Sequence, residues 1–414
     1  MHDNRNRNYF DQHYSGFFWK ADNEERKIPG TLYIDKEGNA FLTTFHRFNE
    51  NKQINADDDV AIVFGIVMDN KELKKYVVRM NNIFVKSEHI PLSINLPVYK
   101  YISKEVYISK EIGNCNCSTL YNQILLLSPD INNWVKEKGF GEVKHPKNPQ
   151  KFGATFDYRQ PEKIDLFKND ELNIYLYFNA WVSYPIKRKA IIEEKVYLNI
   201  KLNQAKTLEE LKKYKTSIER LFSLIFLQPI QFDEINYVTT SKKDFIALKK
   251  EKKEMIYPSD CVNYQIFTEN SQQIIENWFQ KEEKLSLALK TFFSVYGQPG
   301  LLVEDEFLSY ISILENLYKQ IPHKASFKNP PLKNIIKYFL SNSNINTVIE
   351  NIDDYSEILK ITRNYLAHLE EKHEENALKT KDLYKTNQIL IYIIQEYLIR
   401  ELGIEQTLRI PDNI

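Results

Sequence analysis

The chain has 414 residues and a mass of 49.2 kDa, with 43% hydrophobic, 27% charged and 13% aromatic residues. That balance supports two or three folded domains and excludes a disordered, collagen-like or disulfide-scaffold protein. Lys plus Arg equals Asp plus Glu at 56 each, so no global field steers the molecule onto nucleic acid or an anionic membrane, and any basic site must be local.

The opening segment Met1 to Arg7 is polar, with no apolar stretch behind it, and no run of about 18 apolar residues occurs anywhere. Neither a secretory signal nor a membrane span is expected, and the expected compartment is the cytoplasm. Residues 30–34 (GTLYI) and 40–45 (AFLTTF) flank the turn-forming 35–39 (DKEGN), which predicts a β-hairpin. Short apolar or alternating runs follow at 60–68, 77–85, 106–108, 124–127, 172–178 and 196–202. Strands repeated at short intervals without regular helices between them predict an antiparallel, sandwich-like β-rich domain. Cys115, Cys117 and Cys261 are the three cysteines, an odd number that fits a reducing compartment. Cys115-Asn116-Cys117 has no further ligands at usable spacing for a zinc site.

Over 207–227 the apolar period becomes helical through Leu208, Leu211, Ile218, Leu221, Phe222 and Ile225, and Pro229 follows as a stop. Residues 232–267 return to strand-like runs around the Lys-rich stretch Lys249 to Lys253, which reads as a solvated loop or hairpin tip. The chain then turns helical to its end. Five helices are expected: 272–296, 304–321, 331–340, 354 to about 372, and 377–402 with Gly403 as its stop. Asp354 and Glu357 read as a capping box opening the fourth. The architecture expected is α+β, with a β-rich domain over 1–264 and a helical bundle over 265–414.

The fourth helix carries Arg363-Asn364-Tyr365-Leu366-Ala367-His368, an Arg and a His five apart with a polar residue after the Arg. This segment resembles the R-[polar]-x3-H signature of HEPN (higher eukaryotes and prokaryotes nucleotide-binding) ribonucleases. Glu304-Asp305-Glu306-Phe307-Leu308 with Leu314-Glu315-Asn316-Leu317 resembles the first-helix pattern of the ApeA branch of that superfamily. Gly16-Phe17-Phe18-Trp19, the strand start Gly30-Thr31-Leu32 and Asn133-Trp134 resemble the ApeA N-terminal domain. The resemblance implies an endoribonuclease of antiphage defence acting by abortive infection, with two copies of the motif paired across a homodimer. It also implies an N-terminal domain that senses a phage-derived trigger or restrains the nuclease.

The residues themselves suit phosphodiester cleavage in RNA, where the substrate's 2′-OH is the nucleophile. An imidazole exchanges protons at neutral pH, which makes His368 the candidate acid/base. The guanidinium of Arg363 matches phosphate oxygens and keeps its charge. Asn364 shares a helix face with His368, where its amide can orient the ring or hold a phosphate oxygen. The scheme calls for no metal or cofactor. Positions five apart differ by about 140° on an ideal helix, so Arg363 and His368 meet only through the long Arg side chain, a helix distortion, or a second subunit contacting through Tyr365 and Leu369. Asp353, Asp354 and Glu357 read as charges at the positive end of the helix, and His373 as a solvated residue. Residues 301–414 hold 13 Lys plus Arg against 17 Asp plus Glu, so RNA needs a restricted cleft or help from Lys187-Arg188-Lys189 and Lys249 to Lys253. The competing expectation is a non-catalytic helical module that dimerises or binds RNA or nucleotide, beside a protein-binding β-rich domain.

Overall fold

The computed structural model describes residues 9–36, 38–49, 60–71, 73–89, 97–110, 119–141, 157–186, 189–239, 244–248, 262–296, 298, 300–321, 330–368 and 371–410. Lys187, Arg188, Lys249 to Lys253, the three cysteines and Leu369 lie outside them. The expected hairpin is present: β2 (Asn23–Ile34) pairs with β3 (Ala40–Thr44) from Gly30↔Thr44 to Ile34↔Ala40. Its turn is held by the Asp35 carboxylate, which accepts from the Asn39 amide at 2.7 Å, while Gly38 takes a φ of +85° that costs a glycine little.

Four further strands complete a closed, antiparallel six-stranded barrel: β1 (Gln12–Lys20), β4 (Val60–Asp69), β5 (Lys75–His89) and β6 (Val98–Ser103), in the order β4-β1-β2-β3-β6-β5 with β5 returning to β4. Closure leaves the barrel no free edge. Alternation sets its core, because successive strand residues point to opposite faces: Tyr14 and Phe18 of β1 pack inside with Leu32, Leu42, Val63 and Val78, while Ser15 and Phe17 point out. A Cβ on Gly16 would lie 2.1 Å from the Ile66 carbonyl oxygen, so the approach of β1 to β4 requires glycine there.

The 15-residue β5 belongs to two arrangements. Its residues 77–81 pair with β7 (Glu105–Ser109) and 84–89 with β6. The changeover falls at Asn82, whose φ of +50° is one that Asn tolerates better than most residues. From β7 the sheet runs on through β13 (Asp244–Leu248), β12 (Glu234–Thr239), β8 (Tyr121–Leu127), β11 (Lys189–Lys206), β10 (Leu172–Ile186) and β9 (Ile164–Lys168), every pair antiparallel. The β-rich domain is therefore a barrel continued as an open sheet. α1 (Pro129–Trp134) is a short helix after β8.

Beside this changeover lies a polar cluster. Arg79, 4% exposed, donates from Nε to Asn81 Oδ1 at 2.9 Å and lies 3.3 Å from Glu209. Glu105 accepts from Asn81 at 3.3 Å and also bonds the Lys212 ammonium and the Tyr107 hydroxyl. Burial pulls the Glu105 carboxyl up, and Lys212, Tyr107 and Asn81 more than reverse it, leaving its pKa below the ordinary value.

By compactness the chain forms two units, residues 1–215 with 232–256 and residues 216–231 with 257–414, a division that differs from a single cut at 264/265. α2 (Leu208–Ile225) starts with a capping box in which Thr207 N and Oγ1 both donate to Glu210 at 2.9 and 2.7 Å. In the second unit the helix expected over 272–296 is two. α3 (Tyr264–Lys284) and α4 (Ser286–Val295) break at Leu285, where φ is −92° and ψ 10°. Neither Gly nor Pro marks the break in sequence.

α5 (Val303–Tyr318), α6 (Leu332–Ser341), α7 (Ile352–His368) and α8 (Thr380–Glu401) follow, with 3-10 turns at Asn344–Thr347 and Glu371–Asn376. α8 stops as expected at Gly403, whose φ of +81° lets its amide reach the Arg400 carbonyl and that of Ile404 the Ile399 carbonyl. No helix among the described residues is long and apolar enough to cross a membrane.

Candidate active site on α7

α7 starts three residues before the expected capping box. The cap is Asn351, whose Oδ1 accepts from the amides of Asp353 at 3.0 Å and Asp354 at 3.2 Å. Glu357 turns to Lys360 and Lys333 instead of reaching back to a cap. Lys333 and Lys337 both lie 2.8 Å from Asp353 and hold its carboxyl down to about 2. Hydrogen bonding to Lys360 likewise holds Glu357 below the usual carboxylate range. Asp353 and Asp354 do occupy the first turn, the helix's positive end.

The inner face of α7 buries Ser356, Leu359 and Thr362. The two hydroxyls return to their own helix, Ser356 to the Ile352 carbonyl at 2.6 Å and Thr362 to the Ile358 carbonyl at 2.8 Å, which allows polar side chains in the interior. Thr362 Oγ1 also accepts from the Leu378 amide at 3.0 Å. Tyr365 OH donates to Glu374 at 3.5 Å. These two bonds lay the segment 371–378 back along α7. Sequence reasoning missed both Thr362 and Glu374, since nothing local signals that a chain will return to a helix it has just left. His373 falls in this segment and is half-buried.

On the outer side Arg363 and Asn364 are half-buried and His368, the last residue of α7, is exposed. The structure brings all three together. Arg363 Nη1 lies 2.8 Å from His368 Nε2 and 3.5 Å from Asn364 Oδ1. The extended guanidinium closes the 140° gap along the helix surface, so a second subunit is not needed to join the pair. A guanidinium has only donors, so Nε2 must be the acceptor in this contact and the ring proton sits on Nδ1. Among the described residues the guanidinium meets no carboxylate.

The first-helix motif lies at the start of α5. Glu304 accepts from Thr380 Oγ1 at 3.0 Å and Glu306 from Asn387 Nδ2 at 3.2 Å, both partners being on α8. Asn387 also donates to the Val303 carbonyl at 3.0 Å. The acidic pattern at 304–306 thus ties two helices together.

Two family models match the chain: ApeA N-terminal domain 1 over residues 13–278, more than half of it, and Apea-like HEPN over residues 269–408. No curated protein and no solved structure matches it.

Proposed function

The chain belongs to the ApeA family and carries an ApeA-like HEPN domain, and from that premise we propose that it is a metal-independent endoribonuclease of antiphage defence, acting by abortive infection in the cytoplasm. The observation that supports this best is the 2.8 Å contact between Arg363 and His368, exposed at the end of a helix and, among the described residues, without a carboxylate partner. Structural Arg residues are normally matched by acidic groups; a guanidinium paired only with an imidazole keeps donors available for a phosphate beside a proton acceptor.

In this reading a phosphate oxygen of RNA, a stronger acceptor than imidazole, takes the guanidinium of Arg363. The Nε2 lone pair of His368 is then free to remove the proton of the 2′-OH. That oxygen forms a new bond to phosphorus as the bond to the 5′-oxygen breaks, and Arg363 holds the negative charge that builds on the phosphoryl oxygens. Asn364 keeps the guanidinium in place. The departing 5′-oxygen needs a proton from a second group. A homodimer through the helical domain, with His368 of a second copy facing the first in its protonated, imidazolium form, supplies it.

The test is digestion of RNA by the purified chain in EDTA, with end-group analysis. Products ending in 2′,3′-cyclic phosphate, together with a drop of about 10²- to 10⁴-fold for His368→Ala, support the assignment. Ends carrying 3′-OH, or equal digestion by the variant, overturn it. Sedimentation of the full chain tests the dimer: a monomer that cleaves at a rate linear in protein refutes the two-copy site.

A further inference from the structure

The barrel wall presents an aromatic row that its core does not use. Strand register aligns His13, Tyr33, Phe41, Ile102 and Phe84, one each from β1, β2, β3, β6 and β5, as direct neighbours across five strands. His13 and Tyr33 stack at 4.6 Å and 25°, Tyr33 and Phe41 at 6.2 Å and 27°. Lys86 Nζ sits 5.0 Å from the centroid of Phe41. His13, Lys86 and Phe84 are exposed, Phe84 by 46%. The adjoining row of the same face is Ser15, Thr31, Thr43 and Lys100, again in register, and Lys100 is exposed. These two rows contain no carboxylate, although the chain has 56. Beside them, Asp11 accepts the Tyr33 hydroxyl at 3.0 Å.

We propose that this face of the barrel binds single-stranded RNA, with bases against the His13–Tyr33–Phe41–Phe84 row and phosphates on Lys86 and Lys100. Rings offer stacking to any base, and lysines with hydroxyls offer donors to a backbone that carries one charge per nucleotide. At about 4.8 Å between strands the row spans roughly 19 Å, enough for about four nucleotides. Protein partners of neutral, mixed charge gain nothing from two rows that hold lysines and no carboxylate, whereas a polyanion does. The choice of RNA over DNA rests on the proposed nuclease, since stacking does not read the 2′-OH.

The measurement is fluorescence anisotropy of a labelled 12-nucleotide single-stranded RNA titrated with the full chain in EDTA, in the His368→Ala background so that the probe survives. Phe41→Ser with Phe84→Ser should weaken binding at least tenfold. Lys86→Gln with Lys100→Gln should lower the slope of log K against log salt by about 1.4. Unchanged affinity and slope in both pairs, or no binding by the parent, overturns the proposal. If the ring pair loses its far-UV dichroism, the exposed lysine pair decides alone. A chain that cuts RNA but binds it independently of the row refutes the row and spares the nuclease; one that binds through the row and leaves RNA intact does the reverse.

Discussion

Two clusters of charged side chains contrast sharply. Around Glu105, four elements converge, and Arg79, Asn81, Tyr107, Glu209 and Lys212 are knitted by mutual hydrogen bonds and ion pairs, with Arg79 stacked on Phe64 and Lys212 on Tyr107. Around His368, one helix supplies Arg363, Asn364 and the ring, and they hold only one another among the described residues. The first cluster has its donors and acceptors consumed by protein, and what remains for it is stability. The second keeps a guanidinium and an imidazole at the surface with one contact between them, the contact that a phosphate would displace in the proposed reaction. Density of satisfied partners, more than the presence of charge, separates scaffold from candidate site.

Paired substitutions sharpen this contrast. The largest effect expected is on cleavage: His368→Ala and Arg363→Ala each lower the rate by orders of magnitude while changing unfolding free energy by no more than about 0.5 kcal/mol, as surface changes do. Urea unfolding of both variants checks it, and a large loss of stability in either would make the pair structural. Next, Glu105→Leu should destabilise the fold by about 1–3 kcal/mol, because it strands the Asn81 amide in a partly buried site and leaves Lys212 with the exposed Glu209 alone. Cleavage per folded molecule should be preserved, which assays below the unfolding temperature would measure.

The pH dependence of that cost has a definite sign. With its pKa held below the ordinary 4.5, folded Glu105 binds a proton less readily than the unfolded chain does. Its contribution is present above about pH 4.5 and is lost as pH falls through the lower native value. The gap in melting temperature between wild type and Glu105→Gln should therefore be widest at pH 7 and shrink towards pH 3. A constant gap would mean that shape, not charge, sustains the cluster.

Smaller effects belong to the cap of α7 and the stop of α8. Asn351→Ala removes the acceptor for two amides of α7 and should cost about 1 kcal/mol. Gly403→Ala forces a side chain into a φ of +81° at the end of α8 and should cost about as much. Chemical denaturation resolves both, and an Asn351→Ser variant should recover most of the first loss.

Where the sequence was legible, the determining signal was local. The hairpin at 30–45 was visible because turn chemistry at 35–39 is encoded in five adjacent residues, and the stop at Gly403 because one glycine suffices for a left-handed cap. Residues 363–368 were legible as a motif for the same reason. The break at Leu285 was not, since 281–287 contains no helix breaker. Nor was the Asn351 cap, because Asp354 and Glu357 offered an equally good local pattern three residues on.

By itself, the sequence determined the α+β class, the order of β-rich and helical parts, and the placing of Arg363, Asn364 and His368 on one helix, all of which follow from period, turn residues and spacing. Only the tertiary structure decided that six strands close into a barrel, that β5 changes neighbours at Asn82, and that the Arg363 guanidinium meets the His368 ring. Closure and changeover depend on hydrogen bonds between strands far apart in the chain. The Arg–His contact depends on a side-chain rotamer chosen by what packs around α7. Neither is written in any short window of residues.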